Sequence, residues 1–415
     1  FELQTLRNSL ARKWFRYRGD VFTAPIHRIG DVLFTVRKED GRAGSRVTAH
    51  RIDSRNDGQK DGEEIWSTDL GVPAAGKPFV DNVAKEIRVV SSNASLYALN
   101  GAAIRDGIID TPKDQVVSGQ LPGVRESLPL SNNQWAFFGR PISDGFLLFD
   151  PASTANSLSV VRLDLQDAKP SAMPAPFNEG LLVGSSAGPV YWVDANTGQS
   201  KAHPFQPALQ PGVEMEWLSP AVTEDGRFAV IADQNGRAYK LTVSQESSPE
   251  LVASLDVSTE KQLVGPLAVL GESVFATAKD VGTAVMVSFN SADLQVQHEW
   301  SLEGEADWGP KRLGDGVLVA TDAGKLIRWG TEPQPTWTVP LPYGPLAGEP
   351  LLDGDAILFA SVSGIIWKVD AQTGEELAKI DVKEPLGTGP VVLGKRLLVC
   401  GGDGTVHIVN AFSNE

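Results

Sequence analysis

The sequence predicts an all-β protein, namely a closed β-propeller of eight or nine four-stranded blades. Three observations support this class: a phrase that recurs nine times, a proline at the same place in each copy, and a composition rich in turn residues. The 415 residues include 41 glycines and 27 prolines but only 3 methionines. Such a composition favours many turns and few long helices. A chain of this length can form one domain when its fold is a closed all-β repeat.

The recurring phrase is best preserved as GPVVLGKRLLVCGGDGTVHIVNA, at residues 389–411. It reads as Gly-Pro, a short strand, a glycine turn, an apolar strand, a small-residue turn ending in Gly, and an alternating strand. Further copies lie at residues 348–374, 309–330, 265–290, 219–241, 175–194, 128–150, 77–100 and 24–38. The period of helical repeats is absent, and four short strands in roughly 40–50 residues are typical of a propeller blade.

Each copy contains an anchoring proline, and successive prolines are 40 to 53 residues apart. They are Pro25, Pro78, Pro129, Pro176, Pro220, Pro266, Pro310, Pro350 and Pro390. We expect each proline to start the innermost strand of a blade, where no ladder donor is needed. The fourth strand often begins at a tryptophan, as at Trp14, Trp66, Trp300 and Trp337.

The segments 188–204 and 364–380 echo each other and share an Asp-Ala-x-Thr-Gly motif that begins at Asp194 and Asp370. The echo could mark a duplicated active site or a repeated building block. Asp and Thr side chains commonly bond nearby backbone amides in turns, so we interpret the motif as a turn into the fourth strand. Asn235–Gly236 and Asp403–Gly404 likewise predict tight hairpins.

The two chain ends are predicted to belong to one blade. The last copy stops after its third strand, at Asn410, while WFRYRG at 14–19 has the character of an unpaired fourth strand. This pairing would remove sheet edges. Leu3, Leu6 and Leu10 have helical spacing, so residues 1–13 are predicted to form an N-terminal helix or linker and residues 14–415 the propeller. The first segment could equally be the tail of a coiled coil, a linker from a membrane anchor, or a lid.

Charge and cysteine content exclude several classes of protein. The 52 acidic and 37 basic residues give a net charge of −15, which disfavours nucleic acid as a partner. A single cysteine, Cys400, excludes an intrachain disulfide framework or a cysteine zinc cluster. No run of 18 apolar residues occurs in the chain, so no transmembrane segment is predicted in it.

Four residues are candidates for a binding surface: Arg18, Trp217, Trp308 and Tyr343. They lie in the turns that lead to anchoring prolines, which in propellers crowd one face around the central channel. Trp, Tyr and Arg are also the usual hot-spot residues of protein interfaces. The alternative for each is packing between blades.

No catalytic, cofactor-binding or metal-binding residue is predicted. The five histidines are scattered without the spacing of a zinc site, and no nucleophile motif of a hydrolase occurs. Cys400 lies in an apolar strand, where an inert buried thiol is expected.

The strings GGDGTVHIVNA, YWVDANTG and IIWKVDAQTGEEL resemble the repeat of the quinoprotein (PQQ-like) β-propellers, and the resemblance covers nearly the whole chain from about residue 14. Enzymes of this family carry a vicinal Cys-Cys disulfide and hold Ca²⁺ with a Glu, an Asn and a catalytic Asp. This chain has one cysteine and no matching local motifs, apart from a partial docking element at 307–310. The resemblance therefore points to the non-enzymatic branch, which includes the periplasmic propeller lipoprotein of the outer-membrane β-barrel assembly machinery.

The predicted function is a non-catalytic scaffold or adaptor that binds other proteins and needs no cofactor. The predicted location is the periplasm or cell envelope of a bacterium, either free or held by a membrane tether upstream of this chain. One alternative is a sensing or docking domain of a larger membrane-anchored protein. Another is a PQQ-dependent dehydrogenase, which would respond to PQQ with Ca²⁺.

Overall fold

The computed structural model describes the chain in separate stretches, to which every structural statement below refers. They are residues 2–5, 13–16, 21–22, 27–29, 32–38, 44–51, 63–70, 73–74, 78–81, 86–91, 95–100, 113–116, 124–139, 142, 144–150, 152–153, 158–208, 215–223, 225–244, 248–258, 261–280, 283–332, 334–393, 396–401 and 405–412.

The first eleven strands are β1 (Glu2–Thr5), β2 (Lys13–Arg16), β3 (Val21–Phe22), β4 (His27–Ile29), β5 (Val32–Lys38), β6 (Ser45–Arg51), β7 (Glu63–Asp69), β8 (Phe79–Asp81), β9 (Glu86–Val90), β10 (Ser95–Asn100) and β11 (Lys113–Val116). The next eleven are β12 (Val124–Pro129), β13 (Trp135–Gly139), β14 (Gly145–Phe149), β15 (Leu158–Arg162), β16 (Ala175–Phe177), β17 (Gly180–Gly184), β18 (Val190–Val193), β19 (Ala221–Val222), β20 (Ala229–Ala232), β21 (Arg237–Val243) and β22 (Leu251–Ser258).

The remaining strands are β23 (Gln262–Leu270), β24 (Ser273–Asp280), β25 (Thr283–Asn290), β26 (Val296–Leu302), β27 (Ala306–Leu313), β28 (Gly316–Thr321), β29 (Lys325–Trp329), β30 (Pro335–Pro340), β31 (Leu351–Asp353), β32 (Ala356–Ala360), β33 (Ile365–Asp370), β34 (Glu376–Asp381), β35 (Val391–Leu393), β36 (Arg396–Cys400) and β37 (Thr405–Asn410). One 3₁₀ turn, at Ser131–Asn133, is the only helical element in the described stretches.

The described strands form nine sheets, numbered here in chain order. Sheets 1 to 8 are β3–β7, β8–β11, β12–β15, β16–β18, β19–β22, β23–β26, β27–β30 and β31–β34. Sheet 9 combines β35, β36 and β37 with β2 and β1. Six sheets, namely 2, 3, 5, 6, 7 and 8, have four strands paired in sequence order. The predicted class, an all-β propeller of four-stranded blades, is confirmed.

The chain divides into two compact units, residues 1–126 with 343–415 and residues 127–342. In each unit, apolar clusters fill the space between successive sheets. In the first unit, one cluster joins sheets 1 and 2 through residues such as Phe34 and Ile87, and another joins sheets 8 and 9. In the second unit, four clusters connect sheets 3 through 7 in order. The second strands are apolar on both faces because a neighbouring sheet covers each face.

The predicted pairing of the two chain ends is confirmed. Strand β2 pairs antiparallel with β37, with Trp14 opposite His407. The N-terminal helix is wrong at residues 2–5, which form β1 and pair with β2. The edge of β2 offers Glu2–Thr5 a ladder of backbone partners, and such pairing overrides a short helical spacing. The division of the chain at residue 13 stays a prediction.

Six of the nine anchoring prolines fall into two groups. Pro78, Pro220, Pro350 and Pro390 lie immediately before a first strand, as predicted. Pro266 and Pro310 instead lie inside the longer strands β23 and β27, where the register with the next strand shifts. A proline is tolerated at such a bulge because no ladder donor is required there. Pro25 lies outside the described residues, whereas Pro129 ends β12 and Pro176 lies in the middle of β16, so the expected strand start is wrong at these two prolines.

Sheet 4 departs from the four-stranded expectation, since only three of its strands are described as such. The segment after β18 stays close, and isolated bridges join Val193 to Ser200 and Val190 to Phe205. Pro204 lies between these bridges and has no N–H to donate, so a continuous ladder cannot form. No helix in the described stretches is long and apolar enough to cross a membrane.

Candidate functional site

The repeated Asp-Ala-x-Thr-Gly motif forms the turn that the sequence predicts. The Asp194 carboxylate accepts hydrogen bonds from the backbone N–H groups of Asn196 and Thr197, both at 2.9 Å. Asp370 repeats this geometry with Gln372 at 2.9 Å and Thr373 at 2.8 Å. In each turn the Thr hydroxyl also donates to the same carboxylate oxygen. Both carboxylates are used to hold the backbone.

The electrostatics of Asp370 agree with this structural role. Hydrogen bonds from the Thr373 and Gln372 backbone amides, and then from the Thr373 hydroxyl, lower the pKa of the Asp370 carboxyl. Amides favour the charged form of a carboxylate that accepts from them. The turn is therefore formed best when Asp370 is ionised.

Trp217 lies buried between sheets 4 and 5 and is 3% exposed. Its indole N–H donates to the Gly188 carbonyl at 3.2 Å, and its ring meets Tyr239 edge-on at 5.8 Å. A Cβ atom added to Gly184 would lie 2.6 Å from the Trp217 ring, so only glycine allows this approach. The structure favours the packing alternative for Trp217 over a binding role.

Arg18 lies outside the described residues. Trp308 is half-buried in β27, opposite Ala320 of β28, at the register shift that also contains Pro310. Trp217 and Trp308 therefore lie in different sheets of the second unit, while Tyr343 belongs to the first unit. A binding role for Arg18 and Trp308 stays a prediction.

Tyr343 is half-buried on one face of sheet 8, where its hydroxyl group is fixed by charged neighbours. The hydroxyl donates to the Glu376 carboxylate, with oxygen separations of 2.7 and 3.0 Å. It accepts from the Lys379 ammonium at 3.1 Å. Its ring packs edge-on against buried Trp367, with centroids 5.4 Å apart. The side chain is thus held in one orientation before any partner binds.

The Lys379 side chain is exposed, and its ammonium lies 5.2 Å from the centroid of the Tyr343 ring. Its hydrogen bond to the Tyr343 hydroxyl, together with the charge that this group can carry, raises the pKa of Lys379. Lys379 therefore stays positively charged across the physiological range.

Two exposed apolar residues adjoin residues that bond to Tyr343 or follow it in the chain. Val362 is 46% exposed, and its backbone N–H donates to the Pro345 carbonyl at 3.0 Å. Leu377 is 52% exposed and follows Glu376 directly. We call Tyr343, Val362, Glu376, Leu377 and Lys379 the Tyr343 surface. It combines an ordered tyrosine, two apolar groups and one charged group of each sign.

Sequence reasoning singled out Tyr343 but not the other members of this surface, and a binding role for Tyr343 stays a prediction. Glu376 and Lys379 lie 33 and 36 residues further along the chain, and only the pairing of β33 with β34 brings them to Tyr343. Leu377 is exposed because the register shifts between Lys368 and Val369, which leaves Leu377 as an extra residue of β34. No local sequence signal marks that shift.

Other reactive groups are dispersed or inert. Within the described stretches, no three His, Cys, Asp or Glu side chains are grouped so that they could hold a metal ion. The Cys400 thiol is buried, and burial raises its pKa strongly. The thiol is therefore protonated and a poor nucleophile.

No protein-family model matches the sequence, and no curated protein is significantly similar to it. Solved structures do resemble the fold. The dihydro-heme d1 dehydrogenase NirN in complex with DHE is 14% identical with a TM-score of 0.52, covering 88% of this chain and 78% of that one. Sqt1 of Saccharomyces cerevisiae is 10% identical with a TM-score of 0.50, covering 96% and 98%.

BamB from Moraxella catarrhalis is 14% identical, with a TM-score of 0.45, and the match covers 100% of this chain and 99% of that one. At such identities a likeness shows the fold alone, because one fold hosts many functions. The matches to NirN and Sqt1 support the propeller class, while the place of the chain in the non-enzymatic branch of the quinoprotein family stays a prediction.

Proposed function

We propose that this chain is a non-catalytic scaffold that binds another protein through the Tyr343 surface, outside the cytoplasm of a bacterium. The observation that carries the proposal is Tyr343 itself, a hot-spot residue type held rigid beside exposed Val362 and Leu377. Binding to a preformed aromatic side chain costs little conformational entropy. Four of the five large apolar residues that are most exposed in the described stretches, Leu352, Val362, Leu377 and Val392, belong to sheets 8 and 9.

The charges of the surface suit a protein partner better than an apolar ligand. Glu376 and Lys379 lie at the border of the apolar residues and can pair with charges on the partner. Interfaces commonly combine an apolar centre with a polar rim. The net charge of −15 further favours a partner with a basic surface.

The proposal is tested by site-specific photocrosslinking in the native host. A photoreactive amino acid replaces Leu377 in one variant and Glu272, on an exposed hairpin of sheet 6, in the control. The expected result is a discrete crosslinked protein at Leu377 that is absent at Glu272. Crosslinking at Leu377 that does not exceed the control would contradict the proposal.

The identified partner then allows a quantitative test. Replacing Tyr343 with Ala is expected to weaken binding by roughly 30-fold, which corresponds to a hot-spot loss of about 2 kcal/mol. Tyr343→Phe keeps the ring and should weaken binding less. Equal affinity of the Tyr343→Ala variant and the unmodified protein would show that the surface does not bind the partner.

A titration with PQQ and Ca²⁺ separates this proposal from an enzyme of the quinoprotein family. A scaffold should show no change in thermal unfolding or visible absorbance. A saturable shift of both signals would contradict the non-catalytic proposal and support a dehydrogenase.

A further inference from the structure

A groove lies between the outer strand of sheet 6 and the outer half of sheet 7, in the second unit. It encloses about 430 Å³. One wall is the end of β26 with the residue that follows it, Glu299 to Glu303. The other wall is formed by β29 and by Gln334, Pro335 and Thr338, just before and within β30. The groove is separate from the Tyr343 surface.

Two tryptophans line the groove at different depths. Trp300 is half-buried, and its ring stacks on Phe275 with a centroid distance of 6.5 Å and an interplanar angle of 17°. Trp329 is fully buried, and its ring centroid lies 5.7 Å from that of Trp300. Because Phe275 and Trp329 fix the Trp300 ring, the groove has a rigid aromatic wall that a flat apolar face can contact without reordering it.

The indole N–H of Trp329 has no hydrogen-bond partner, although the nitrogen is buried. Trp217, another buried indole of this unit, does have an acceptor. Buried donors are nearly always satisfied, so an orphaned donor in a groove wall points to an acceptor that comes from outside the chain. Such an acceptor can bond directly or through a bridging water molecule.

The polar groups around the groove are nearly neutral as a set. Lys325 pairs with Glu303 at 3.1 Å, and Glu299 pairs with Lys261. Exposed Gln334 and Thr338 add an amide and a hydroxyl group, which both donate and accept hydrogen bonds. A charged ligand would have to compete with these ion pairs, whereas an uncharged ligand rich in hydroxyl groups would not.

We propose that this groove binds an uncharged saccharide. A sugar ring offers an apolar face to the Trp300 ring, acceptor oxygens to the Trp329 N–H, and hydroxyl groups to Gln334 and Thr338. An apolar peptide side chain would match Trp300 but would leave the buried donor unsatisfied. The volume of the groove suits a mono- or disaccharide.

Three disaccharides serve as probes: cellobiose, maltose and N,N′-diacetylchitobiose. Binding is measured by calorimetry and by the indole N–H signals in a ¹⁵N-correlated NMR spectrum, in which Trp329→Phe identifies the Trp329 signal. The expected result is saturable binding of at least one disaccharide with a shift of that signal. The proposal is overturned if none of the three binds at millimolar concentration, or if N-acetyl-tryptophanamide binds and the sugars do not.

Variants locate the binding in the groove. Trp300→Leu is expected to weaken binding about tenfold or more, because a stacked aromatic surface is lost. Trp192→Leu is the matched control. Trp192 is also half-buried, but it lies in sheet 4, and its indole N–H donates to the Phe177 carbonyl. If Trp300→Leu does not fold, the exposed pair Gln334→Ala and Thr338→Ala provides the same test. Equal effects of the groove and control variants would overturn the assignment of the site.

Discussion

At the scale of single residues, the tryptophans of this chain have distinct roles that depend on burial. Trp217 fills the space between sheets 4 and 5. Trp329 and Trp300 both line the groove between sheets 6 and 7, where Trp329 is fully buried and Trp300 is half-buried. Residue type alone could not separate these roles. Their neighbours in other sheets decide which indole is available to a ligand.

Replacing Trp217 with Ala should therefore lower the free energy of unfolding by about 3–5 kcal/mol, the usual cost of a large cavity in a core. The change also leaves the Gly188 carbonyl without its indole donor. Urea denaturation measures the loss. The matched variant Trp192→Ala, in which the indole is only half-buried, should lose less. A loss at Trp217 no larger than at Trp192 would show that the inter-sheet contact contributes little.

Asp370 gives a residue-scale prediction about pH. Amide donors lower the pKa of Asp370 in the folded chain, so its contribution to stability is present above the unfolded pKa and lost as pH falls through the folded pKa. Asp370→Asn keeps an acceptor oxygen for the Gln372 and Thr373 amides but cannot titrate. The stability advantage of the unmodified protein over the Asp370→Asn variant should therefore shrink as the pH falls below about 3.9, the ordinary pKa of aspartate, and through the lower folded pKa.

Urea midpoints of the Asp370→Asn variant and the unmodified protein, measured across that range, test this prediction. All other carboxylates titrate in both proteins, so the difference between the two midpoints isolates Asp370. A difference that stays constant with pH would mean that the turn does not depend on the charge.

At the scale of elements, the outer strands share a feature that the sequence did not reveal. In five sheets the pairing of the third strand with the fourth shifts by one residue, which leaves an extra residue in the outer strand. These extra residues are Ile65, Ser254, Gln297, Thr336 and Leu377. Bulges bend and twist an edge strand, which makes it a poor template for pairing with another molecule.

Deleting Thr336 should straighten the outer edge of sheet 7 and cause association that increases with protein concentration. Light scattering after size-exclusion chromatography measures the mass at several concentrations. The control is Thr336→Ala, which keeps the extra residue and should have the same mass as the unmodified protein. Equal masses for the deletion and the control would show that the bulge does not protect this edge.

Local sequence rules predicted some elements and failed at others for identifiable reasons. Proline positions located the first strands of several sheets, and the Asp194 and Asp370 turns formed with the expected hydrogen bonds. The fourth strand of sheet 4 was not predicted to break, although Pro204 removes a ladder donor there. The bulges depend on twist between paired strands, which no single segment encodes.

At the scale of the whole molecule, the repeat predicted the fold class but not the proposed binding surface. Nine copies of one phrase predicted eight or nine blades, because each copy contains its own strands and turns, and the described strands form nine sheets. The Tyr343 surface instead combines Tyr343, in the turn before sheet 8, with residues from two later segments of that sheet. The groove is lined by sheets 6 and 7, which come from two successive copies. Such sites depend on how sheets pack, which periodicity does not specify.

The pairing of β2 with β37 leads to a prediction about the chain ends. This pairing contributes four residue pairs that cover the edge of β37, whereas β1 only adds a further strand outside β2. A variant lacking residues 1–16 should therefore lose at least about 3 kcal/mol of stability, since a full strand of its sheet is removed. A variant lacking residues 1–12 keeps β2 and should lose much less.

Thermal unfolding of both variants, followed by circular dichroism, measures the difference. The larger truncation exposes backbone donors and acceptors of β37, so it should also associate on heating. The smaller truncation is the control for general effects of shortening the chain. Equal decreases in the unfolding temperature for the two truncations would mean that removing β2 costs nothing beyond removing residues 1–12. The pairing of β2 with β37 would then not stabilise sheet 9.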